Sequence, residues 1–192
     1  MSVTEIKPGD ILAFTGEGFV SALINLGSFG IPGIHASHVG IVAEHADRGL
    51  FVFESTMIFG GNRPCRITGK KQDGVRAVYL EDVFTRPGRI YHYPLRVALS
   101  PYARYRLAAH LESVLGVRYD IRGAARSGGF FLRSFFELLF KSDLTSIYCS
   151  ELTDSAHSYA GVLESVRRFR SPNAFLRGER RQAVLLKPIR LK

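Results

Sequence analysis

The sequence predicts an α+β fold, because strand-like segments cluster in its first half and helix-like segments in its second. A chain of 192 residues with 46% hydrophobic content has the size and apolar content of one domain. Folding at this length buries about 70% of the extended chain's surface, enough for a real core. Residues 37–43 and 50–55 are both rich in β-branched or aromatic side chains and flank a polar turn, the pattern of an antiparallel hairpin.

Lys7-Pro8-Gly9-Asp10 is a turn signal, and the apolar run Ile11-Leu12-Ala13-Phe14 after it reads as a first strand. Residues 17–26 suit a short helix, which glycines and a proline between Gly27 and Gly33 then break. After the hairpin, Gly74 to Leu80 and Arg89 to Tyr93 read as two further strands. Pro101 opens a helix whose apolar side chains recur at three- and four-residue steps through Leu107, Leu111 and Leu115, with Gly116 as its stop. Residues 130–140 form a strongly apolar helix candidate, and Ser146 is a candidate cap for a helix through Cys149, Leu152 and Ala156. Ala183-Val184-Leu185-Leu186 reads as a last strand. The expected organisation is one domain over 1–192, with an apolar helical insertion near 128–142 and a basic C-terminal segment at 166–192.

Composition excludes several classes. Two cysteines, Cys65 and Cys149, cannot form the framework of a disulfide-dependent scaffold. The N-terminal MSVTEIKPGD lacks the apolar run of a secretory signal, and no stretch of 18 uninterrupted apolar residues exists. A cytoplasmic location is the default expectation, with carriage in a virus particle or export by another route also open. The formal charge of +9 sits almost wholly in 166–192, where nine basic side chains face Glu179 alone. That segment offers an anionic partner or membrane surface a basic face, or is simply a solvated surface. No zinc-knuckle or RNP-like motif accompanies it, so no nucleic-acid partner is expected.

Three residues stand out chemically. In the first turn of a helix, the Cys149 thiol would sit among unpaired N–H groups, which favour thiolate and can stabilise an oxyanion. The bland alternative is a small buried hydrophobe. His38 begins an apolar strand beside Gly40, and an imidazole suits the proton transfers that a thiolate nucleophile needs. His35 competes with it from the glycine-rich loop. Glu54 ends Phe51-Val52-Phe53 on the strand expected to pair with that of His38, where a carboxylate would orient the ring, or would merely face water. His35 and His38, with His157 or a cysteine, could be imagined around a metal, but complete ligand spacing is absent, so neither metal nor cofactor is expected.

Gly9-Asp10-Ile11-Leu12, Ser37-His38-Val39-Gly40-Ile41-Val42, Phe53-Glu54-Ser55 and Tyr148-Cys149-Ser150-Glu151-Leu152 together resemble the ordered motifs of permuted, NlpC-type papain-like hydrolases, the YiiX-like branch above all. Gly116-Val117-Arg118-Tyr119-Asp120 and the Ser171-Pro172-Asn173 turn add to the likeness, which spans about Lys7 to about Leu186. In that family the histidine strand precedes the cysteine helix, the reverse of papain's order. The resemblance implies a circularly permuted papain-like fold, an antiparallel sheet packed on helices. It also implies a cysteine peptidase or amidase that acts on a peptide- or acyl-containing substrate. Cys149 would be its nucleophile, His38 its base and Glu54 its third residue. Two alternatives accompany that expectation: a lipid-directed acyltransferase or phospholipase using the same site, to which the apolar 130–140 segment would be suited, and a non-catalytic binding module.

Overall fold

The structure is a computed structural model, and it describes residues 5–15, 36–45, 48–56, 64–71, 73–118, 148–164 and 171–192. Strands β1 (Ile11–Thr15), β2 (His38–Glu44), β3 (Leu50–Thr56), β4 (Gly74–Tyr79), β5 (Arg89–Tyr93) and β6 (Ile189–Arg190) form one sheet in the order β4-β3-β2-β1-β5-β6. Every neighbouring pair is antiparallel. The helices are α1 (Leu80–Val83), α2 (Pro101–Ser113), α3 (Cys149–Tyr159) and α4 (Pro172–Arg181).

Period-2 alternation divides the strands between two cores. Ile11, Ala13, Val39, Ile41, Phe51 and Phe53 face α2, α3 and α4, meeting Leu107, Leu111, Leu152, Ala156 and Phe175. Leu12, Phe14, Val42, Val52 and Val78 line the other side with Leu80 and Val83 of α1. Both faces of the central strands are therefore buried, which explains the near-continuous apolar runs of β1, β2 and β3. Each of the large side chains fully removed from water here stabilises the fold by about 1.5–3 kcal/mol.

Two buried polar ties hold the first turn to the rest. Asp10 accepts from the main-chain N–H of Leu95 at 2.9 Å and meets His92 Nε2 at 2.7 Å. His157, in the last turn of α3, meets the Gly9 carbonyl through Nε2 at 2.8 Å. Burial lowers the His157 pKa, against contributions from Gly9, Asp154 and Asp10, so the neutral ring donates that bond. The far end of the cysteine helix is thereby pinned to the start of the sheet.

Several local expectations need correction. The apolar run Ala183-Val184-Leu185-Leu186 is not a strand. Ala183 takes φ 60°, the Val184 N–H returns to Glu179 O, and only Leu185 bridges Leu95. A helix ending at Arg181 consumes the residues before it, so the final strand forms later, at Ile189–Arg190. Ser171-Pro172-Asn173 is a helix start rather than a simple turn: the Ser171 hydroxyl accepts from the Ala174 N–H and proline occupies the first turn of α4. Leu80 leaves β4 to open α1. The N-cap of the cysteine helix is Tyr148, extended at φ −97° and ψ 170°, and the expected cap Ser146 lies outside the described residues. The helix candidates at 17–26 and 130–140, the insertion at 128–142 and His35 lie outside the described residues.

Candidate active site

His38 is the first residue of β2, and Glu54 lies near the end of the neighbouring β3. Alternation places both on the α1 side of the sheet, with Gly40 and Val42. Glycine is required between them: a Cβ at Gly40 would come 2.7 Å from Val52 Cγ1 and 3.2 Å from the Phe53 carbonyl. Without that Cβ the two strands close up, and His38 Nε2 reaches Glu54 Oε2 at 3.0 Å. Phe14, opposite His38 on β1, packs beside the imidazole with ring centroids 5.6 Å apart.

Cys149 belongs to the opposite, helix-side core and is 3% exposed. It nevertheless comes close to His38, whose imidazole pKa its side chain raises. The two meet because each stands at the end of its element, His38 opening β2 and Cys149 opening α3. With Nε2 engaged by Glu54, Nδ1 is the ring nitrogen left for the sulfur. The thiol therefore occupies the first helical position, where the helix dipole favours negative charge. No side-chain cap competes there.

Glu54 is wholly buried and has two further partners that sequence reasoning missed. Arg76 Nε donates to Oε1 at 3.0 Å, while Arg86 donates from Nη1 to Oε2 at 2.7 Å and from Nη2 to Oε1 at 2.9 Å. The β3–β4 register sets Arg76 directly opposite Glu54, so a cross-strand charge pair was the available signal once that pairing was known. Arg86 follows α1 and carries no comparable signal.

Electrostatics follow from this arrangement. Burial alone would raise the Glu54 pKa, but the charge of Arg86 and the contact with His38 hold it well below the carboxylate range. Burial likewise opposes charge on His38. The hydrogen bonds and charges of Cys149 and Glu54 outweigh it, lifting the imidazole from 6.5 to about 9. The first side chain of α3 thus stands beside an imidazole that is raised toward its charged form. Cys65 differs. The residue is 1% exposed, and its sulfur accepts from the Ala77 N–H at 3.4 Å. Burial raises that thiol, yet the Ala77 and Thr68 hydrogen bonds bring it below its ordinary value.

Cysteine, histidine and glutamate are metal-capable donors, but both Glu54 oxygens already face guanidinium cations. The set therefore does not fit a metal cation. Among the described residues no group of three or more His, Cys, Asp or Glu could hold a metal ion. None of their helices is long and apolar enough to cross a membrane.

No family model matches the chain, and neither does any curated protein. Among solved structures it is similar to YiiX from Escherichia coli O157:H7, described as a metalloprotein of the DUF1105 group. The TM-score is 0.53 at 16% identity, over 95% of this chain and 87% of that one. The likeness is one of fold: a six-stranded antiparallel sheet with helices, in a YiiX-like α+β arrangement.

Proposed function

We propose that the chain is a cysteine hydrolase of permuted papain-like type, which cleaves an acyl bond, by default a peptide or isopeptide amide, through a thioester on Cys149. The observation that carries this reading is the 3.0 Å contact of the buried Glu54 carboxylate with the His38 ring, together with a Cys149 side chain close enough to that ring to raise its pKa. His38 precedes Cys149 in the chain, the order a permuted papain-like enzyme requires.

In the first half-reaction the Cys149 thiolate bonds to the substrate carbonyl carbon, and the carbonyl π pair moves to oxygen. Main-chain N–H groups at the start of α3 are suited to support that oxyanion. Collapse breaks the carbon–nitrogen bond as the imidazolium passes its proton to the leaving nitrogen. Neutral His38 then takes a proton from water, whose oxygen attacks the thioester carbon. Loss of the acid restores thiolate and imidazolium. Glu54 keeps the ring in the orientation and tautomer that both halves need. The description of YiiX as a metalloprotein is not carried over, since the donor set here does not fit a cation.

Thiol labelling at neutral pH tests the assignment. Wild-type protein and Cys65→Ala are expected to take up iodoacetamide on Cys149, whereas Cys149→Ala should take up none while folded. Both thiols are buried and the Cys65 pKa is itself lowered, so preferential labelling of Cys149 would have to come from the imidazole beside it. Equal labelling of Cys65 would defeat the reading. Mass spectrometry of Cys149 after exposure to peptide amides and to lipid esters then separates a peptidase from a lipid-directed acyl enzyme.

The pH profile adds a second expectation. A raised histidine pKa means that the imidazolium persists below about 9 and is lost above it. Alkylation by anionic iodoacetate, which the imidazolium attracts, should therefore decline as pH rises through about 9. The stability derived from this proton is complete below 6.5 and disappears over the same rise. A decline centred on 6.5 would show that neither Glu54 nor Cys149 holds the proton.

A further inference from the structure

A carboxylate that only orients an imidazole needs no other partner, yet Glu54 has two guanidinium groups as well. Arg86 is the more telling of them. Its Nη1 shares Oε2 with His38, at 2.7 Å against 3.0 Å for the imidazole nitrogen, and its Nη2 holds Oε1. The carboxylate is wholly buried, so water does not screen these charges.

Among the described residues, the groups that face His38 can be named. Glu54 comes from β3, the Cys149 sulfur from α3 and the Phe14 ring from β1. Arg76 of β4 and Arg86 after α1 stand behind Glu54. One buried negative charge is thus set against two permanent positive charges before the histidine is counted. Left alone with the imidazole, Glu54 would hold the ring's proton firmly and make the imidazolium a poor acid. With both oxygens already satisfied, it keeps the ring in place while its charge is largely spent on arginine.

We infer that Arg86 is a positioning residue which, by sharing Glu54 Oε2 with His38, limits how strongly Glu54 stabilises the imidazolium through Nε2–H and so keeps the Nδ1 proton acidic enough to pass to the leaving group. This rests on the hydrolase reading above, and it adds the element that sets the acidity of the site. Arg86 is itself held for the task. Its main-chain carbonyl and that of Phe84 accept from Lys192 Nζ at 2.6 and 3.1 Å, and its guanidinium lies 5.4 Å from the centre of the Phe14 ring. Its side chain is 18% exposed against 5% for Arg76, so it can be replaced while Arg76 still balances Glu54.

The test is an NMR titration of His38, run beside the pH dependence of iodoacetate uptake by Cys149, in wild type, Arg86→Gln and Arg86→Lys. Removing the cation in Arg86→Gln should raise the His38 titration and the iodoacetate decline together by about one pH unit, a roughly tenfold gain in proton affinity. Arg86→Lys keeps the charge but gives up one of the two contacts, so it should move both in the same direction by less. It serves alone if the glutamine variant does not fold. A merely structural arginine predicts weaker uptake at every pH with the titration unmoved or lowered, and that result in folded protein overturns the inference alone. Wild-type uptake that ignores the His38 titration overturns the hydrolase reading and takes the inference with it.

Discussion

Exchanging His38 for alanine is expected to slow acyl transfer to Cys149 by roughly 10²–10⁴-fold, the contribution of a positioned general acid and base. The fold should survive. The imidazole is 22% exposed, and Glu54 keeps both arginines when the ring is gone, so no buried charge is stranded. Iodoacetamide uptake by Cys149 at neutral pH, followed beside a thermal melt, measures both parts. Undiminished uptake in a folded His38→Ala protein would mean that the sulfur owes nothing to its neighbour, and the proposed chemistry would have to be abandoned. Collapse of the fold would instead assign the ring to stability.

Glu54→Leu should behave in the opposite way, with its largest effect on stability. The substitution leaves Arg76, 5% exposed, and Arg86, 18% exposed, facing one another without a counter-charge. Breaking a buried pair by removing one partner destabilises by about 3–5 kcal/mol, a large share of what a domain of this size possesses. Urea unfolding of wild type, Glu54→Leu and His38→Ala should rank the glutamate variant lowest by a wide margin. The acid side carries a matching expectation. A carboxylate held well below 4.5 in the folded protein contributes stability that is complete above 4.5 and lost only as pH falls through that much lower value. Acid unfolding driven by Glu54 should therefore begin below the range of ordinary carboxylates. A Glu54→Leu protein as stable as wild type would show the cluster to be solvated in solution.

The parts of the fold legible in the sequence are those where side-chain period and local turn chemistry agree. The β2–β3 hairpin is plain because apolar residues flank a polar turn, and α2 because proline opens it and leucines recur at helical steps. His38 and Glu54 draw notice as polar residues inside apolar strands. Their nearness depends on a register that the hairpin supplies locally, with Ile41 opposite Phe53. Arg76 and Arg86 escape because their meaning lies in strand pairing and in the path of the chain after α1, neither of which any local pattern encodes. Ala183 to Leu186 misleads for a related reason. The run is apolar enough for a strand, but α4 and the left-handed turn at Ala183 use the chain differently. The helix start at Tyr148 shows that an extended backbone can begin a helix without a side-chain cap.

The order of the strands also bears on when a newly made chain becomes reactive. The β2–β3 hairpin is local and can close early, whereas β1 must find its sheet neighbour β5, and α3 must settle on β2 and β3, from far along the chain. Such non-local closures are the slow steps of folding. Until α3 docks, Cys149 has no imidazole beside it, so nascent or misassembled molecules lack the proposed acyl chemistry. Acyl transfer to Cys149 should therefore appear only with the last phase of refolding, making the proposed activity a built-in reporter of completed assembly.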